Sequence, residues 1–248
     1  MPDENPCGLV TNRKSEAPKS AVGDQTAGPT PAFPAALLWD MDGTLVDTEP
    51  YWIDAEYRLV GRHGGTWSEA HSLNLVGNDL IDSGHYIREH GSVDLTPEEI
   101  VEELLDDVVA QLEGEVPWRP GARELLAEAT AAGVPCALVT MSYTRFVTPI
   151  LAQLPGGTFT EIVTGDTVSQ GKPHPEPYLK AAKLLGVHPE ECVAIEDSDP
   201  GTTSAVAAGC TVLVIPNHVP VSAGERRFHR DTLAGLTLAD LSRLDPTS

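Results

Sequence analysis

Leu37-Leu38-Trp39-Asp40-Met41-Asp42-Gly43-Thr44-Leu45-Val46-Asp47-Thr48 is an apolar run that ends in two carboxylates two residues apart. Side chains alternate along an extended chain, so Asp40 and Asp42 project to one side. Gly43 lets the backbone turn at once, which crowds both into one small site. Carboxylates that close repel each other unless a cation or a proton separates them. The chemistry this suggests is a magnesium-bound nucleophile beside an acid/base, with a phosphate ester as the natural substrate.

The chain outside this segment repeats the same kind of strand. Val134–Val139, Thr160–Val163, Cys192–Ile195 and Thr211–Ile215 are short apolar runs. Helical patterns at roughly 121–132, 175–185 and 201–208 separate them. Short strands apolar on both faces, with helical spacers, predict an α/β fold: a Rossmann-like parallel sheet with helices on both faces. Active sites in that architecture lie beyond the C-terminal strand ends.

One spacer is too long. About 95 residues separate the first strand from the second, where a plain βα unit needs roughly 30. Helices are expected at 51–63, 68–74, 79–90 and 97–113. The last carries Ile100, Leu104, Leu105, Val108, Val109 and Leu112 at helical spacing, behind a Thr96/Glu99 capping pattern. Residues 51–116 therefore read as a small all-helical cap, and 34–50 with 117–248 as the core. Residues 1–33, rich in proline and glycine, read as a disordered tail.

The chain of 248 residues is 41% apolar, enough for a sizeable core, yet carries 16 basic against 37 acidic residues, a formal charge of −21. Such a surface repels nucleic acid and anionic membranes. No apolar stretch reaches the roughly 18 residues of a transmembrane helix. Neither partner is expected. The four cysteines, Cys7, Cys136, Cys192 and Cys210, form no C-x-x-C pattern. They argue against zinc or a disulfide framework and for a reducing cytoplasm.

Each remaining polar motif follows a strand. Thr140-Met141-Ser142 offers hydroxyls and backbone N–H groups to phosphate oxygens, or merely caps a helix. Lys172 sits in Gly171-Lys172-Pro173-His174-Pro175, where it pairs with a carboxylate and a phosphoryl group, or is simply solvated. Glu196-Asp197-Ser198-Asp199 supplies hard oxygen ligands of the kind Mg²⁺ takes, with Asp199 a candidate helix cap. His174 reads as surface or supporting. Walker, G-x-G-x-x-G and G-x-S-x-G patterns are absent. Arg226, Arg227 and His229 make too small a basic patch for nucleic acid.

These four motifs, in this order, resemble the haloacid dehalogenase superfamily. The long insert is similar to the cap of its subgroup of phosphoglycolate-type phosphatases and beta-phosphoglucomutase. The resemblance spans residues 35 to about 240. Met141 stands where the family usually has asparagine. The resemblance implies that Asp40 is the nucleophile, forming an aspartyl-phosphate, and that Asp42 is the general acid and base. It implies that Mg²⁺ binds Asp40, the Asp42 carbonyl, Asp197 and, directly or through water, Glu196. Thr140 and Lys172, with Met141 between the motif's hydroxyls, would bind the phosphoryl group.

Dehalogenases of this superfamily lack the second aspartate, so Asp42 favours a phosphate ester. A phosphatase of a small phosphorylated metabolite is expected, with sugar phosphates among the candidates. It is expected to act as a monomer, with a dimer left open. A sugar phosphomutase is the alternative, and a non-catalytic phosphate-binding protein the second. Residues 51–116 hold three arginines, no lysine and 15 carboxylates, which suits a second phosphate badly unless Arg58 or Arg62 turns inward. Tyr51, Trp52, Trp67, Asn78 and Tyr143 are candidate substrate contacts.

Overall fold

The computed structural model describes residues 33–112 and 116–244. The expected disordered tail, apart from Phe33, lies outside the described residues, as does Cys7. Six parallel strands form one sheet: β1 (Ala36–Trp39), β2 (Cys136–Val139), β3 (Glu161–Val163), β4 (Cys192–Glu196), β5 (Thr211–Val214) and β6 (Arg227–His229). Their order is β3-β2-β1-β4-β5-β6. β1 lies at the centre, with Leu38 opposite Ala137 on one side and Ala194 on the other.

Alternation along each strand divides the interior into two layers. Leu37 and Trp39 join Leu138, Ile195 and Leu213 on one face. Ala36 and Leu38 join Val139, Ala194 and Val212 on the other. Helices α5 (Ala122–Ala131), α6 (Thr144–Leu151) and α9 (Leu238–Leu241) cover the first face through Leu125, Phe146 and Leu238. Helices α7 (Glu176–Leu185) and α8 (Asp199–Ala208) cover the second through Tyr178 and Ala205.

Four helices fill the long spacer: α1 (Glu49–Arg62), α2 (Glu69–Leu73), α3 (Leu80–His90) and α4 (Pro97–Gln111). α4 packs on both α1 and α3 through the apolar stripe expected of it. Thr96 and Glu99 form the reciprocal capping box, with Glu99 N–H donating to Thr96 Oγ1 and Thr96 N–H to Glu99 Oε2. The two crossings into the insert run side by side. Asp47 N–H donates to the Pro117 carbonyl at 2.7 Å, and Arg119 N–H to the Leu45 carbonyl at 3.0 Å.

One local expectation is corrected, and two further elements appear. Asp199 does not cap α8: Ser198 Oγ accepts from Gly201 N–H, while Asp199 accepts from Ser222 and Arg227. The segment read as a weak basic patch contributes β6 as the edge strand. α6, with Pro149 inside it, follows the Thr140-Met141-Ser142 motif, where a helix cap is one of the two sequence readings.

Candidate active site

β1 delivers Asp40 and the following turn delivers Asp42, while β2, β4 and the turn before α7 bring their motifs to the same sheet edge. Gly43 has φ +84°, and a Cβ there would lie 1.9 Å from Asp197 Oδ2. Only glycine allows β1's turn and Asp197 to approach so closely. Gly201 has the same role beside Glu196, whose Oε1 would lie 1.9 Å from an added Cβ.

Lys172 is 4% exposed. Its Nζ donates to Asp40 Oδ1 at 2.7 Å, Glu196 Oε1 at 2.6 Å and the Val139 carbonyl at 3.0 Å. Burial by itself would lower this lysine, but Asp40 and Glu196 outweigh it and hold the ammonium above the ordinary range. Glu196 also accepts from Tyr178 Oη at 2.6 Å. Its second oxygen accepts from Asp197 N–H, Ser198 N–H and Ser198 Oγ.

Asp42 accepts from Thr48 Oγ1, Trp52 Nε1, Thr140 Oγ1 and Ser142 Oγ. Thr140 Oγ1 also accepts from Ser142 N–H, so the two hydroxyls fix Asp42 where it faces Asp40. Met141 is buried and lines the cavity, its Sδ accepting from Lys172 N–H.

Asp40 Oδ2 is buried with no hydrogen-bond partner among the described residues. Ligand oxygens of Asp40, Glu196 and Asp197 lie within 4.8 Å of one another. Burial, then Glu196, pushes the Asp40 carboxyl up to about 7 against the pull of Lys172. Burial, then Asp40 and Glu196, drives Asp197 well above the usual carboxylate range. An orphaned hard oxygen among crowded carboxylates fits a divalent cation such as Mg²⁺, which this cluster is positioned to coordinate.

Above these groups lies a cavity of about 70 Å³ roofed by the inserted helices. Trp52 and Asn78, two of the five candidate substrate contacts, line it. Tyr143 faces a separate groove, Tyr51 packs on the core, and Trp67 donates to Glu56 instead. Arg58 pairs with Asp54, and Arg62 with Glu103 and Asp107, all at the surface. His174 is exposed and accepts from Glu176 N–H.

Sequence reasoning missed Glu49, Glu56 and Tyr178. Glu49 and Glu56 are buried cavity residues. Burial, then Glu56, Asp42 and Asp47, pushes Glu49 up to about 8. Burial also raises Glu56, against Ser72 and Trp67. Their signal is register: Glu49, Trp52, Glu56 and Leu59 share the buried face of α1, so two acids stand where a helix puts its core.

Residues 34–209 match the family described as haloacid dehalogenase-like hydrolase. The chain is 36% identical over 181 residues to Hexitol phosphatase A of Escherichia coli K12, covering 72% of this chain and 82% of that protein. It is 32% identical over 198 residues to the Bifunctional riboflavin kinase/FMN phosphatase of Arabidopsis thaliana. That match covers 77% of this chain, which spans about half the length of that relative, 52%. The crystal structure of CbbY from Rhodobacter sphaeroides in complex with phosphate is similar with a TM-score of 0.76 at 30% identity, covering 85% of this chain and 99% of that one.

Proposed function

This chain belongs to the haloacid dehalogenase-like hydrolases, and from that premise we propose that it hydrolyses the phosphate ester of a small sugar or polyol. It is a magnesium-dependent phosphatase of that family's type, acting on a small phosphomonoester. The observation that carries the reading is the set of buried carboxylates around Lys172, with Asp40 Oδ2 left unpaired. A scaffold that only bound phosphate would have no need to bury three acids together.

In this reading Asp40 attacks phosphorus and becomes an aspartyl-phosphate. Asp42 enters protonated, gives that proton to the leaving alkoxide, and takes one back from the water that then attacks the aspartyl-phosphate and frees Asp40 and phosphate. With substrate bound, the Thr140 and Ser142 hydroxyls turn from Asp42 to the phosphoryl oxygens, which the Met141 backbone and Lys172 also hold. Asp40, the Asp42 carbonyl, Asp197 and, through water, Glu196 would hold Mg²⁺, which when bound neutralises charge on the transferring group. Residues 51–116 act as a cap that closes on the paired linkers and excludes water. The sugar or polyol class is supported by the name of the Escherichia coli relative. A mutase reading has lost its support, since Arg58 and Arg62 are both engaged at the surface. The free, buried Cys136, Cys192 and Cys210 suit a reducing cytoplasm, and we place the enzyme there as a monomer.

The test is phosphate release from a panel of small sugar and polyol phosphates. Release should need Mg²⁺, stop with EDTA and return on adding metal. Asp40→Asn should lose at least ~10³-fold in turnover with its fold intact. Wild-type turnover by that variant would remove Asp40 as nucleophile. Conversion of beta-glucose-1-phosphate to glucose-6-phosphate with little release would make the chain a mutase.

A further inference from the structure

The cavity has a second polar wall that the chemistry above does not use. Glu49 and Glu56 are seven residues apart on α1, which sets them on one face about 10 Å apart along its axis. They are 8% and 5% exposed, and both line the cavity. Glu49 belongs to the phosphate end, where it feels Asp42 and Asp47. Glu56 lies two turns further along. Its Oε2 accepts from Trp67 Nε1 at 3.0 Å, and the same indole reaches Ser72 Oγ at 3.0 Å. Among the described residues no hydrogen bond reaches the Glu49 carboxyl or Glu56 Oε1.

These oxygens open onto the cavity and the protein leaves them to water, so a ligand that brings hydroxyl donors is favoured there over an apolar one that strips the water without replacing it. Lys172 is the one cationic side chain lining the cavity among the described residues, and Asp40 and Glu196 already hold it. In either protonation state the two glutamates offer a hydroxyl group a partner. They offer a desolvated anion no cation at all.

We propose that Glu56, aided by Glu49, determines substrate specificity by accepting hydrogen bonds from hydroxyls of the alcohol portion and rejecting esters with a second anionic group. The proposal rests on the phosphatase reading and narrows its substrate to esters whose far end is neutral and hydroxylated. A second phosphate or a terminal carboxylate would have to shed its water against two glutamates.

Three esters of equal carbon number separate these effects in the full chain with Mg²⁺. Sorbitol 6-phosphate ends in a hydroxymethyl group, 6-phosphogluconate ends in a carboxylate, and n-hexyl phosphate has no hydroxyls. The wild type should prefer sorbitol 6-phosphate in kcat/KM by about 100-fold or more over each of the others. Glu56→Gln should narrow the preference over 6-phosphogluconate by about tenfold, and Glu56→Leu the preference over n-hexyl phosphate by a similar factor, both chiefly through KM. Thermal unfolding of each variant establishes that it is folded. Should neither fold, the wild-type ratios decide alone: a ratio near one in either pair overturns the proposal. An unchanged ratio in folded Glu56→Gln also overturns it. If p-nitrophenyl phosphate is hydrolysed without any preference among the three esters, this inference fails by itself. If no ester releases phosphate, the phosphatase reading fails and takes the inference with it.

Discussion

Lys172 and its two carboxylates show how charge is kept inside this protein. Its ammonium bridges Asp40 and Glu196 at 2.7 and 2.6 Å, and without it two buried acids would face each other. Glu49 has no such partner, and this makes its ionisation visible in stability. Burial, then Glu56, Asp42 and Asp47, raises it from 4.5 to about 8. A carboxyl raised on folding stabilises the fold while it holds its proton. That contribution is full below pH 4.5 and is lost as pH rises through about 8. Metal-free wild type should therefore lose a few kcal/mol of stability across that window, about 1.4 kcal/mol for each pH unit crossed. Glu49→Gln carries no proton to lose, so its stability should fall much less. Urea unfolding in EDTA at about pH 5 and about pH 8 measures both slopes. Equal falls in the two proteins would assign the penalty to other groups.

At the scale of elements, α6 ties the sheet to the inserted helices. Phe146 is fully buried and meets Trp52 of α1 edge-on, with ring centroids 5.2 Å apart. Trp52 in turn donates to Asp42, so the packing of α6 bears on the proposed acid/base. Phe146→Ala should cost about 3–5 kcal/mol, and the loosened Trp52 should lower kcat as well. Chemical denaturation alongside steady-state kinetics checks both, and a loss of stability with unchanged kcat would separate the seam from the chemistry.

α6 also shows where the sequence is hard to read. β1, β2, β4 and β5 are legible because strands buried on both faces are unbroken apolar runs, as in Thr211–Val214. α6 carries Pro149, which reads as a breaker. β6 is an edge strand of partly buried Arg227, Phe228 and His229, so it lacks the apolar run. The carboxylates proposed for catalysis are legible because each lies at the C-terminal end of a strand or just beyond it. Glu49 and Glu56 are hidden in an acidic composition, where most carboxylates are solvated, and only their position on the buried face of α1 distinguishes them.

The whole molecule sets a field that its own site must work against. The formal charge is −21, and residues 51–116 hold 15 carboxylates against three arginines. A phosphate ester is itself an anion, so it approaches a like-charged surface before it reaches Lys172 and any bound cation. Repulsion of that kind acts over the Debye length, about 10 Å at 0.1 M salt, and is screened beyond it. Contacts inside the cavity are screened far less. Raising NaCl from about 10 to 200 mM at constant Mg²⁺ should therefore increase kcat/KM about two- to tenfold while kcat moves little. Glu89, Asp94 and Glu98 are exposed on the inserted helices and their approaches. Replacing them together by Gln, Asn and Gln should raise kcat/KM at low salt and flatten its salt dependence. If kcat/KM instead falls with salt, attraction by the site's own cations reaches further than repulsion by the acidic surface, and encounter is governed locally.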